Sequence, residues 1–295
     1  MVNEDIKIIQ KTIHIFTPGK RFPSISLTGN SCDLNCAHCG GRYLDHMHEV
    51  NSPQELMSLC EKLSSSGAVG ALISGGCDSN GHVKLEEYLE IIKKIKKNTD
   101  LILNVHTGII SHKQAKSLSK SGIDIVSIDM VGDKETIKNI FGLDHDPNKY
   151  KESLKALRDS GITRIVPHIC IGLNYGQISG EKHAIDLIST IDPKTIVFII
   201  LIPTKGTKME GCNPPNIKEV LKIIEYARKK FPKTNIYLGC MRPRGSKFRK
   251  YNITLEQRAI LAGINGVVLP TKNTIDFLKD LNVDIDYFEN CCAVK

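Results

Sequence analysis

The chain has 295 residues, 41% hydrophobic and 24% charged, ordinary for a soluble globular protein and enough for one large barrel or two small domains. Its longest apolar run, "TIVFIILIP" at 195–203, is too short to cross a bilayer, and residues 1–20 carry Lys7, Lys11 and Lys20 without the apolar block of a signal peptide. Membrane and secretory classes are excluded on this reading, a cytoplasmic location is expected, and the formal charge of +8 favours an acidic partner.

In chain order, residues 1–22 form an N-terminal extension to which no chemistry is assigned. Strand–helix alternation then begins. The apolar, β-branched runs are "SISLT" (24–28), "VGALIS" (69–74), "LILNV" (101–105), "IDIVSI" (123–128), "RIVPHICIG" (164–172), "TIVFIILI" (195–202), "IYLG" (236–239) and "GVVLP" (266–270). Between them lie amphipathic helices, with stripes such as Leu85, Tyr88, Leu89, Ile92, Ile95 and Ile217, Val220, Leu221, Ile224, Ala227. "SSSG" (64–67), "KSG" (120–122), "DSG" (159–161) and "LAGING" (261–266) read as helix stops. Eight such units predict an α/β protein with a (β/α)8 TIM-type barrel over 23–282, followed by a tail over 283–295. An open doubly wound sheet would also alternate, but no glycine-rich dinucleotide fingerprint follows the first strand. Basic stretches at 93–97 and 227–233 read as solvated helix ends, and no nucleic-acid signature accompanies them.

Chemistry concentrates in the cysteines, ten in all, which in a cytosolic chain point to metal or redox work rather than disulfides. Cys32, Cys36 and Cys39 share the loop after the first strand, where a barrel places its active site. Three thiolates at C-x3-C-x2-C are one short of a structural zinc site, which Cys77 or His46 could complete. Alternatively they hold three irons of a [4Fe–4S] cube and leave the fourth open to a ligand that is not protein.

"CDLNCAHC" after a strand, with "SGGC" (74–77) after the next, resembles the radical S-adenosylmethionine (SAM) superfamily. The resemblance implies that Cys32, Cys36 and Cys39 bind the cluster and that SAM chelates its open iron. It also implies that Gly75 and Gly76 let the backbone approach the methionyl ammonium and that His38 packs near the adenine. The acidic residue usual after the glycine pair is replaced by Cys77, with Asp78 next to it. The implied chemistry is hydrogen abstraction from an unactivated C–H bond by a 5′-deoxyadenosyl radical.

Residues 101–176, with "IPTKGTKME" (202–210) and "IYLGCMRPRG" (236–245), resemble biotin synthase, which inserts sulfur into C–H bonds. On this resemblance Asp129 contacts the SAM ribose or the substrate; a strand-end aspartate could equally cap the next helix. The barrel-interior cysteines that hold biotin synthase's second cluster are absent: Asn104 and Val166 stand at or near two of those positions. Of the remaining cysteines, Cys60 lies on a helix stripe with Leu56 and Leu63 and reads as core; Cys170 alternates with Val166 and His168 on the fifth strand and reads as core packing or as facing into the barrel; Cys212 sits in a polar loop as a surface thiol or a ligand.

"FPSISLTGNSCDLNCAHCGGRYLDHM" (22–47), "GCMRPRG" (239–245) and the terminal "CC" together resemble one subunit of the two-component lipoyl synthases. That resemblance implies an auxiliary [4Fe–4S] cluster on Cys240, Cys291 and Cys292, consumed as sulfur donor, with the tail clamped over the barrel mouth. It implies as partners a paralogous second subunit, an acidic octanoylated carrier protein, and an electron donor such as ferredoxin or flavodoxin. Arg242, Arg244, Lys247, Arg249 and Lys250 form either a rim that steers the carrier or a solvated basic loop. Two other readings stand beside this one. One is a radical SAM rearrangement, methylation or dehydrogenation without a sacrificial cluster; the other is a non-catalytic iron–sulfur or zinc-binding partner.

Overall fold

The computed structural model describes residues 10–295. In chain order it contains β1 (Thr12–Phe16), β2 (Ser24–Ser26), β3 (His48–Glu49), α1 (Pro53–Ser65), β4 (Gly70–Ser74), α2 (Leu89–Asn98), β5 (Ile102–His106), α3 (His112–Ser119) and β6 (Ile125–Asp129). A short α4 (Lys134–Thr136) runs into a π-helical turn, followed by α5 (Asn148–Asp159), β7 (Ile165–Ile171), α6 (Glu181–Ile188) and β8 (Thr195–Ile200). The chain ends with α7 (Ile217–Lys230), β9 (Asn235–Leu238), α8 (Arg249–Leu261), β10 (Gly266–Val268), α9 (Lys272–Asp280) and β11 (Asp284–Phe288).

The eight expected strands are β2, β4, β5, β6, β7, β8, β9 and β10, and every pairing among them is parallel. Parallel neighbours need a crossover, and helices supply it. Their starts carry the expected chemistry: Ser52 caps α1 with Pro53 behind it, Ser111 and Gln114 form a capping box on α3, and Thr271 caps α9. The glycine stops after α1 and α5 adopt left-handed backbone, φ +82° at Gly67 and +87° at Gly161.

The hydrogen-bonded order is β11-β1-β10-β9-β8-β7-β6-β5-β4-β2-β3. The (β/α)8 expectation holds as a partial barrel. No ladder joins β10 to β2; instead β10 continues into β1 and β11, and β2 into β3. The sheet nonetheless curls, because one short turn near the C terminus, Cys292–Val294, touches β5, β6 and β8 at once. Of the N-terminal extension, residues 12–16 are a strand on the sheet's seam; residues 1–9 lie outside the described residues.

Alternation along each strand divides the molecule into two apolar bodies. Leu103, Val105, Val126, Ile128 and Ile169 face the helices and join the larger core. Phe16, Ile125, Val166, Val197, Tyr237 and Val268 form a second, smaller cluster inside the curl. Among the described residues no helix is long and apolar enough to cross a membrane.

Arg242 corrects the idea of a five-residue basic rim. Its side chain is fully buried, donating to Asn252 Oδ1 (2.9 Å), Gly239 O (2.6 Å), Glu256 Oε1 (2.5 Å) and Leu269 O (3.1 Å). Glu256 in turn accepts from Thr271 and Thr274, so the network ties α8 to the start of α9. Arg242→Ala leaves Glu256 buried without its counter-charge, and chemical denaturation should show a loss of about 3–5 kcal/mol.

Candidate active site

Backbone geometry at the end of β2 aims the cysteine loop across the end of β4. Thr28 Oγ1 accepts from Gly76 N (2.6 Å) and donates to Ser31 O (2.9 Å). A Cβ at Gly76 would stand 1.9 Å from Ser31 O and 2.7 Å from Cys32 Cα, whereas one at Gly75 would be only tight, 3.1 Å from Thr28 Oγ1. Gly76 is therefore required by the loop crossing over it. Cys77 follows, and its amide donates to Cys32 Sγ at 3.3 Å. Asp78 spends its carboxylate on the amides of Asn80 and His82 in its own turn.

The interaction of the Cys36 and Cys39 thiols raises the pKa of Cys36, with burial adding to it, and lowers that of Cys39 to about 7 against the opposing effect of burial. The ligand atoms of Cys36, His38 and Cys39 lie within 4.8 Å of one another, while Cys32 Sγ stands outside that trio. A single tetrahedral ion wants four donors close together, and neither Cys77 nor His46 joins the group. A cube binds each thiolate to a separate iron and so takes its ligands wider apart, which suits Cys32, Cys36 and Cys39. His38 is wedged edge-on against Tyr43 and Phe141, with ring centroids 6.0 and 5.5 Å away. Its Nδ1 is buried without a partner, and burial lowers its pKa to about 4.

Below the loop, β5, β6 and β7 turn polar residues into the lumen. Asp129 faces inward with His106, whose Nδ1 is 4.0 Å from Asp129 Oδ2. The rings of His106 and His168 meet at 5.0 Å, inclined by 60°. Strands surround Asp129 and burial raises its pKa, yet its side chain keeps 56% of its accessible surface, as it would in a water-filled lumen. It does not cap the next helix: Asp133 does, accepting from Thr136 N. Cys170, half-buried rather than sealed in the core, stands two residues beyond His168 on the same face. The histidines had not been singled out as functional; the inward alternation Asn104–His106 on β5 and Val166–His168–Cys170 on β7 is the signal that marks them.

The tail departs from the expected clamp over the mouth. It fills the N-terminal half of the lumen, packing Cys292 and Ala293 on Ile125, Val166 and Val197. Arg164, just before β7, donates through Nε to Ala293 O (2.9 Å) and through its terminal nitrogen to Lys295 O; Thr195, at the start of β8, donates to Lys295 O (2.7 Å). The neighbouring Cys292 thiol lowers the pKa of Cys291 and Cys291 raises that of Cys292, and the Asn104 side chain also lowers Cys291. Asn104 Oδ1 accepts from Ser127 Oγ at 2.9 Å. Cys240, just beyond β9, feels the charge of Cys291, but the three sulfurs do not converge to within 4.8 Å. Cys60 is fully buried in α1, as expected, and Cys212 is half-buried against the core.

The profile of the radical SAM superfamily matches residues 26–191, from the end of β2 through α6. The chain belongs to the radical SAM superfamily. Among curated relatives it is similar to the mitochondrial biotin synthase of Arabidopsis thaliana, 23% identical over 270 residues that cover 88% of this chain and 68% of that protein. Among solved structures it is similar to HydG, a maturase of the [FeFe]-hydrogenase, with a TM-score of 0.64 and 19% identity. That match covers 88% of this chain and spans 58% of the HydG chain. Methylornithine synthase gives a TM-score of 0.63 at 16% identity, covering 94% of this chain and 84% of that one. These structural likenesses concern the fold.

Radical SAM membership implies a [4Fe–4S] cluster and SAM. The donor set fits: three thiols on one loop, a crossing that tolerates no side chain at Gly76, and an orphaned nitrogen on His38.

Proposed function

We propose that this radical SAM protein inserts sulfur into octanoyl-lysine on a lipoyl carrier protein, as one subunit of a two-component lipoyl synthase. The observation that carries the reading is the placement of the Cys291–Cys292 pair. Adjacent thiols at the end of a chain are an oxidation liability when left in solvent. Here they enter the lumen, and Cys291 lies beside Asn104, the position at which the biotin synthase resemblance puts a second-cluster ligand. The tail supplies sulfur ligands where the strands lack them.

In this reading Cys32, Cys36 and Cys39 hold the first cluster, Gly75, Gly76 and His38 border SAM, and Cys240, Cys291 and Cys292 hold the sulfur-donating cluster. When bound, the first cluster and SAM supply a radical able to take hydrogen from an unactivated carbon. The surrounding strands exclude stray hydrogen donors and keep an extended acyl arm in line. Arg244, Lys247, Arg249 and Lys250, all exposed after β9, suit an acidic carrier. The paralogous subunit and a ferredoxin- or flavodoxin-type donor complete the proposed assembly.

A second reading, a radical SAM reaction without a sacrificial cluster, is favoured by the separation of Cys240 from the tail pair. One experiment separates them: anaerobic reconstitution, then incubation with SAM, dithionite and an octanoylated carrier. Lipoyl synthesis predicts about eight irons per chain and a carrier mass gain of one sulfur; the second reading predicts about four irons and no gain.

A further inference from the structure

One of the two lumen histidines, His168, has a tautomer that the structure assigns. His168 Nδ1 lies 3.0 Å from Val166 O, and a carbonyl only accepts, so Nδ1 carries the proton and Nε2 keeps its lone pair. His168 is 8% exposed, and Nε2 has no hydrogen-bond partner among the described residues. On His106 the nitrogen facing Asp129 is Nδ1, 4.0 Å from Oδ2 and beyond hydrogen-bond reach. Burial holds both rings near a pKa of about 4, so they stay neutral at neutral pH. Neither ring serves the sheet, the core or the cysteine loop. His168 Nε2 is thus an unpaired acceptor that a ligand in the lumen can reach, and His106 and Asp129 stand beside it on the two preceding strands.

We propose that His106 and His168 form a subsite that reads an N–H donor group of the substrate, with His168 Nε2 as the principal acceptor. The inference deepens the lipoyl synthase reading and rests on it: the donor is then the amide N–H joining the octanoyl chain to lysine. Such a contact holds the acyl arm in register along the lumen, which an apolar wall alone cannot do. A site built to accept from an N–H also discriminates against the analogue that lacks it.

The test compares two fluorescent carrier peptides on the reconstituted, SAM-loaded chain by anisotropy. One bears an octanoyl amide, and the other an octanoyl ester in which oxygen replaces the N–H. Wild type should bind the amide about tenfold tighter. His168→Phe keeps the ring but removes the acceptor and should bring the ratio to about one by weakening only the amide; His168→Gln restores an acceptor and should recover part of the preference. Thermal melting checks that each variant folds, and His106→Phe serves if His168→Phe does not. A preference that survives in a folded phenylalanine variant, or no preference in wild type, overturns the subsite while leaving the substrate reading intact. If neither peptide binds wild type, the octanoyl-lysine reading falls and takes this assignment with it.

Discussion

Cys36→Ala should abolish both SAM cleavage and sulfur transfer. Cys36 is 6% exposed at the centre of the loop, and its sulfur lies within 4.8 Å of that of Cys39. Alanine has no donor for the iron, and the loop is left with two of its three thiolates. Losing even an outer-shell partner of a metal ligand costs about 10–100-fold, so loss of a ligand should cost at least about a hundredfold. The fold should survive, because removing one buried atom of methylene size costs about 1 kcal/mol. Cys60→Ala, an equally buried thiol in α1, is the control: a similar stability loss with both activities intact. Formation of 5′-deoxyadenosine, measured by chromatography with SAM and dithionite, gives the result, and retention of it by Cys36→Ala would refute the cluster assignment.

Removing the tail thiols should split the two activities. In the Cys291→Ala/Cys292→Ala double variant, sulfur transfer should vanish while SAM cleavage stays within about twofold of wild type. Reconstituted iron should fall from about eight to about four per chain. The separation is expected because the tail is anchored by its backbone. Arg164 and Thr195 bind the carbonyls of Ala293 and Lys295, so the alanines leave the latch in place. The cysteine loop at the other end of the strands touches none of these groups. A double variant that still adds one sulfur to the octanoylated carrier would show that the tail ligands are wrong.

All eight strands of the barrel and the cysteine loop were legible from residue order. Period-two runs alternated with stripes at three and four, and each of those signals is local. The spacing of Cys32, Cys36 and Cys39 is local too; their roles and that of Gly76 came from the resemblance to the radical SAM superfamily, and the loop crossing that forbids a side chain at Gly76 is a tertiary contact. β1 and β11 escaped because they flank the barrel proper, and their pairing depends on a seam that only the assembled sheet defines. Arg242 looked like a rim charge because its neighbours are basic; its burial comes from Asn252 and Glu256 on α8, which the chain returns beside it.

The sequence by itself determined the elements, their order and the loop that can hold a cluster, because these depend on contacts between near neighbours along the chain. Only the tertiary structure decided that the sheet stays open at one seam and that the tail fills the lumen. It also brought Asn104 to Cys291 and His106 to Asp129 and His168. These pairings join residues from separate strands and the tail, and a one-residue change in strand phase would send Asn104, His106, Asp129 and His168 to the opposite face.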